Sequence, residues 1–209
     1  MTLHNLAVDA FVEELGSNSP APGGGSVAAL AGAQAAALMA MVAELTVASK
    51  KYEPVHEEMA RVAQELHALQ AYFLEAIDRD ANSFNGVMAA FRLPKETEAE
   101  KAIRKETIQN EYKKAADVPF GVGMKALDLL PYAPLLLEKG NANAITDLGL
   151  GIHNLRLAVT GAFYNVKINL TSIKDPAYVA EKKARMAEAL DQVETETAPL
   201  IQSVEAAID

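Results

Sequence analysis

Cysteine and tryptophan are both absent from the 209 residues, and aromatics of any kind make up only 6% of them. Without cysteine, neither a disulfide framework nor a thiolate metal site can form. The absence suits a reducing compartment, and a cytoplasmic location is expected. So few aromatic rings leave the packing to small and aliphatic residues, alanine above all. Alanine is the best helix former and lets helix axes come close. Positive charge is also short: the formal net charge is −9. No basic run exceeds a pair such as Lys113-Lys114 or Lys182-Lys183, so a polyanionic nucleic acid would be repelled and none is expected as partner. The alternation of strands is missing over any useful length, and no repeat recurs at a fixed period. His4, His56, His67 and His153 are scattered and never paired four apart, so no metal site is expected. Serine stands in no nucleophile elbow.

What is present is apolar material, half of the chain, enough for the core of one domain over residues 1–209. The opening from Met1 to Asn5, followed by Asp9, Glu13 and Glu14, lacks the pattern of a signal peptide. Ser26 to Val42 is almost continuously apolar, but it is about half alanine, contains Gln34 and runs into Glu44. A spanning helix wants ~20 strongly apolar residues. A helix buried on all sides, by its own protein or a partner subunit, is the better reading, and no membrane is expected.

The periodicities predict an all-α bundle of long helices. Thr2 to Leu15 carries one apolar face and Gly16 stops it. After the turn-rich Ser17 to Gly25, a second helix is expected from Ser26 to Ser49, and a third from Pro54 to Phe91. Thr97 with Glu100 is a capping-box pattern for a fourth helix reaching Leu130, with a kink at Pro119. A short helix to Glu138, another from Ala144 to Leu170 and a last one from Asp175-Pro176 complete the bundle. The third helix has the stripe Val55, Met59, Val62, Leu66, Leu69, Phe73, Ile77, then Asp80, then Phe84, Val87 and Phe91. Asp80 stands where the spacing demands an apolar residue. A buried carboxylate costs several kcal/mol in rough terms unless hydrogen-bonded or paired, so Asp80 is either a structural link or a functional group.

Four clusters could carry chemistry. Pro22-Gly23-Gly24-Gly25-Ser26 opens a buried helix; triple glycine allows a sharp turn, and bare N–H groups at a helix start favour an anion or a polarised carbonyl. It matches neither nucleotide-binding glycine pattern. Lys50-Lys51-Tyr52 lies at the far end of the same helix, where cations suit the dipole or hold a carboxylate tail. Gly140-Asn141-Ala142-Asn143 leads to Thr146 and Asp147; Asn143 is a natural N-cap, and Asp147 is welcome in a first turn, yet together they could form a pocket rim. Asn165 and Asn169, four apart inside the sixth helix, put two amides on one face for a partner helix or a heterocycle.

These segments, in this order, resemble the cyclodeaminase family, which contains the C-terminal domain of formiminotransferase-cyclodeaminase and stand-alone methenyltetrahydrofolate cyclohydrolases. The resemblance rests on Pro22 to Ser26 before an Ala-rich helix, Met41-Val42 with Leu45-Thr46, Lys50-Lys51-Tyr52, Leu93-Pro94-Lys95, Gly140-Asn141-x-Asn143 with Asp147, and Asn165 with Asn169. Two departures are visible: Thr146 replaces the usual Ser and keeps the hydroxyl, and His153-Asn154 occupies a normally apolar stretch. The resemblance implies an all-helical homodimer with a folate, possibly polyglutamylated, in a cleft near the subunit interface, and no metal or redox cofactor. Asp147 or Asp80 is then the acid-base group. The segment Pro22, Gly23, Gly24, Gly25 and Ser26, with Asn141, Asn143, Thr146, Asn165 and Asn169, holds the pterin and developing charge. Lys50 or Lys51 pairs with the glutamate carboxylates. No formiminotransferase domain lies within these residues, which tilts the expectation to methenyltetrahydrofolate cyclohydrolase over formimidoyltetrahydrofolate cyclodeaminase. A non-catalytic helical scaffold is the alternative of another class.

Overall fold

The computed structural model describes residues 2–209, and among them no strand forms. Seven α-helices follow in order: α1 (Val8–Leu15), α2 (Gly24–Val47), α3 (His56–Phe91), α4 (Glu98–Ala126), α5 (Tyr132–Lys139), α6 (Ile145–Leu170) and α7 (Pro176–Ile208). Single 3-10 turns at Leu3–Asn5, Lys50–Val55, Leu127–Leu129 and Ala142–Ala144 join them.

Helix α2 is the axis of the bundle, packed chiefly on α3 and α6, while α4 bridges α3 and α6 and α7 covers the outside of α6. Its alanines make this possible. Ala29, Ala35, Ala36, Ala40 and Ala43 are all fully buried, so α3 and α6 approach backbone to backbone. At Gly32 the approach leaves no room for a side chain: the Phe73 ring lies where a Cβ would stand, 2.7 Å from its nearest carbon. Phe73 and Phe163 are fully enclosed on either side, each contributing roughly 1.5–3 kcal/mol by leaving water. Helix α2 is buried over most of its surface, but not all round as expected. One face, with Gln34, Met41 and Leu45, remains open.

Several helix starts are where local chemistry puts them. Thr97 and Glu100 form the reciprocal capping box, and Asp175 accepts from the N–H groups of Ala177 and Tyr178, both at 3.1 Å. Others differ. The helix expected over Thr2–Leu15 is split, because the Asp78 carboxylate on α3 accepts the N–H groups of Leu3 (2.6 Å) and His4 and also bonds the His4 ring. Leu6 and Ala7 are extended between the two pieces. Helix α2 begins at Gly24, two residues before Ser26, with Gly23 as its N-cap. Asn143 is not the cap of α6: it lies inside the 3-10 turn, which Asn141 caps by accepting from the Asn143 N–H at 3.1 Å. Helix α4 continues through the buried Pro119 without leaving helical geometry. The α3 stripe leaves the core at its end, with Phe84 and Phe91 39% and 44% exposed. Phe91 instead meets Tyr112 edge-on at 6.2 Å.

Candidate active site

The start of α2 forms one wall of a cleft of about 410 Å³, a size suited to a small molecule. Asp80 and Ser83 of α3, Tyr112 of α4, and Asn165 and Asn169 of α6 complete it, with Phe84 and Ile168 as apolar cover.

Asp80 is the anomaly in the α3 stripe, and it points at the glycines. A Cβ on Gly25 would stand 2.1 Å from Asp80 Oδ1, and one on Gly24 would stand 3.1 Å from Asn165 Nδ2. No glycine here has a positive φ. The glycines therefore serve less to turn the chain than to let two side chains lie on the helix backbone. Gly23 has nothing within 4 Å of its missing side chain, so it faces open space. The Ser26 hydroxyl, fully buried, stands 3.1 Å from Asp80 Oδ2 and 3.1 Å from the Ile77 carbonyl, donating to one or shared between them. Burial pushes the Asp80 carboxyl above the usual carboxylate range, and the Ser26 hydroxyl and N–H oppose that only in part. A carboxyl whose proton affinity is raised in this way is suited to exchanging a proton with a ligand in the cleft.

The remaining expected residues lie elsewhere. Helix α2 has 24 residues and is roughly 36 Å long at 1.5 Å per residue; Lys50, Lys51, Asn141, Asn143, Thr146 and Asp147 are all at its other end. Helix α6 runs antiparallel to α2: Asn165 lies on Gly24 while Gly151 lies on Met39. Its two ends thus divide the site residues, with Asp147 at one and Asn165 and Asn169 at the other. At the far end the buried Thr46 hydroxyl donates to the Val42 carbonyl at 2.7 Å and accepts the Asn141 N–H at 2.8 Å. Asn141 Nδ2 donates to the Leu45 carbonyl (3.2 Å), and the Ala142 N–H to the Tyr52 phenol (3.1 Å). That last bond, with Lys51 beside the ring, holds the Tyr52 pKa below its ordinary value. Lys50 and Lys51 are exposed, and Asp147 is half-buried, its carboxylate accepting no hydrogen bond from any described residue. A smaller cleft of about 210 Å³ beside this turn has Asn141 as its polar group among apolar residues such as Val42, Leu137 and Leu148.

Ser83, Tyr112, Thr171 and Ser172 line the glycine-end cleft and were missed from the sequence. Ser83 had a signal, lying three residues beyond Asp80 on the same helix face; Tyr112 lay in a charged stretch that reads as solvated.

Fold and cleft together define an all-helical protein whose central helix starts on glycines beneath a half-buried carboxylate. Residues 7–188 match the family described as Formiminotransferase-cyclodeaminase, and the chain belongs to it. It is 35% identical, over 85% of its own length and 86% of the relative's, to methenyltetrahydrofolate cyclohydrolase of Methylorubrum extorquens. It is 33% identical to formimidoyltransferase-cyclodeaminase of Rattus norvegicus, over 98% of this chain but 38% of that protein. Among solved structures, formiminotetrahydrofolate cyclodeaminase of Thermotoga maritima superposes with a TM-score of 0.79 at 29% identity, covering 98% of this chain and 96% of that one.

Proposed function

We propose that the protein is a methenyltetrahydrofolate cyclohydrolase, interconverting 5,10-methenyl- and 10-formyltetrahydrofolate with water. The observation that carries this reading is the Asp80 carboxyl, half-buried over the glycine start of α2 with its proton affinity raised. Likeness to the Methylorubrum extorquens cyclohydrolase over most of both chains supports the choice of reaction.

The substrate's methenyl carbon bridges N5 and N10 and carries positive charge. Ionised Asp80 accepts a proton from water as the oxygen–carbon bond forms, giving a neutral tetrahedral carbon. Protonated Asp80 then delivers that proton to N5 as the carbon–N5 bond breaks. The new hydroxyl loses its proton to solvent and becomes the formyl carbonyl. One proton is released in all, and Asp80 returns to its starting state. The reaction in this reading uses no cofactor beyond the folate and runs in the cytoplasm.

The working form is a homodimer through the open α2–α6 face. Met41, Leu45, Leu150, Leu157, Tyr164 and Ile168 are all exposed there, from 39% to 68%, a stripe that a single chain leaves uncovered. A two-fold axis crossing the middle of α2 carries the lysine-bearing end of one copy to the glycine-end cleft of the other. Asp147 then completes the partner's site beside its Asp80, and Lys50 and Lys51 receive the glutamate tail. Mixing inactive D80N and D147N chains after co-refolding tests this: heterodimers regain one intact site each, returning about a quarter of wild-type activity. No recovery removes the shared site.

The absorbance decay of 5,10-methenyltetrahydrofolate, with and without protein, tests the activity. Acceleration with 10-formyltetrahydrofolate as product supports the reading. A second reading, the cyclodeaminase that releases ammonia from 5-formiminotetrahydrofolate, is favoured by the likeness to the Thermotoga maritima protein; ammonia release without acceleration of the first reaction would establish it. Absence of both, with no folate binding, leaves a helical scaffold.

A further inference from the structure

Helix α4 lines the cleft with Tyr112 and Ala115 and carries a proline one turn further on. Pro119 has no N–H to return to the carbonyl four residues back, that of Ala115. Ala115 is buried, with 4% exposure, so water does not readily replace the missing donor. The donor comes from α6: Asn169 Nδ2 lies 3.1 Å from the Ala115 carbonyl. The same nitrogen lies 2.9 Å from the carbonyl of Asn165. Both neighbours are acceptors, so the atom between them is the amide nitrogen, and both its hydrogens are used. The Asn169 oxygen takes no hydrogen bond from any described residue, and the side chain lines the cleft.

We infer that Asn169 is a specificity-determining residue, locked by the carbonyl that Pro119 leaves free so that it offers the cleft an acceptor and no donor. The inference rests on the proposed folate reaction and deepens it. An acceptor fixed in this way selects an N–H on the ligand, which the pterin supplies on its 2-amino and N3 edge. Asp80, the charged group in the same cleft, is likewise an acceptor when ionised. A ring edge bearing only acceptors would face Asn169 lone pair to lone pair, and the amide could not flip without abandoning two carbonyls at once. The lock lies in two helices and needs no ligand to set it.

The test uses the full-length protein, with 5,10-methenyltetrahydrofolate and its 2-desamino-2-methyl analogue as substrates. Wild type is expected to show a KM at least tenfold higher for the analogue. In N169L that ratio falls to near one, because the group that reads the amino edge is gone. P119A restores an intrahelical donor to Ala115 and frees the Asn169 amide. Its melting temperature stays within a few degrees of wild type or above it, while KM for the natural substrate rises about fivefold and kcat holds. An N169L ratio equal to wild type's, or a P119A enzyme with unchanged KM, overturns the inference while the cyclohydrolase reading stands. A wild type inactive on both substrates overturns that reading and this inference with it.

Discussion

The two ends of α2 solve opposite problems. At the glycine end a carboxylate is partly withdrawn from water and held against a helix start, with its proton affinity raised and a cleft in front of it. At the other end two lysines stay in solvent, and the polar atoms of the chain turn are used on each other, Thr46 with Asn141 and Tyr52 with Ala142. Burial changes what a group can do chemically; exposure preserves charge for attracting a distant partner. In the proposed reaction the first end makes and breaks bonds, and the second receives a charged tail.

The sharpest way to break this contrast is D80N. Turnover should fall by roughly 10²–10⁴, the usual worth of a positioned acid-base group. Stability at neutral pH should not fall. With the native pKa raised, the folded state binds the proton more readily than the unfolded chain. Wild-type stability therefore declines as pH rises through that window, and a neutral amide escapes the penalty. In wild type, kcat should rise with pH along a limb whose midpoint lies above an ordinary aspartate's, and D80N should lack that limb. A pH–rate profile paired with thermal melts reads both.

G25A comes next. Its methyl group would displace Asp80 from 2.1 Å, at a cost of about 1–3 kcal/mol for overpacking and a large loss of turnover. G23A meets no protein atom within 4 Å and should melt like wild type; because Gly23 lines the cleft, any rise in its KM reports that the ligand fills that space.

T46V tests the far end. It leaves the Asn141 N–H without its acceptor, worth roughly 1–3 kcal/mol in chemical denaturation, while kcat changes little. The smallest effect is expected from K50A/K51A. KM should rise severalfold for a polyglutamylated substrate and scarcely at all for the monoglutamate, with the difference shrinking as salt screens the charges. Equal KM changes for both substrates would strike the lysines from the tail site.

Much of this was legible because it is local. Thr97 with Glu100 and Asp175 with Pro176 place helix starts through atoms three residues apart. Asp80 announced itself by interrupting an apolar period. Less legible were features whose cause lies far along the chain. The long first helix is broken by Asp78, more than seventy residues away. The glycine run reads as a turn until Asp80 is seen lying on Gly25. Pro119 reads as a kink, yet its effect is felt by Asn169, fifty residues later.

By itself, then, the sequence determined the helices, the Ala-rich central one and the family, because these depend on short-range propensity, periodicity and ordered motifs. Only the tertiary structure decided which polar residues meet. A motif such as Lys50-Lys51 can stand near Pro22 to Ser26 in a list, but α2 between them is a rigid rod of roughly 36 Å. Helix length, which sequence supplies, becomes separation in space only when its neighbours hold the helix straight.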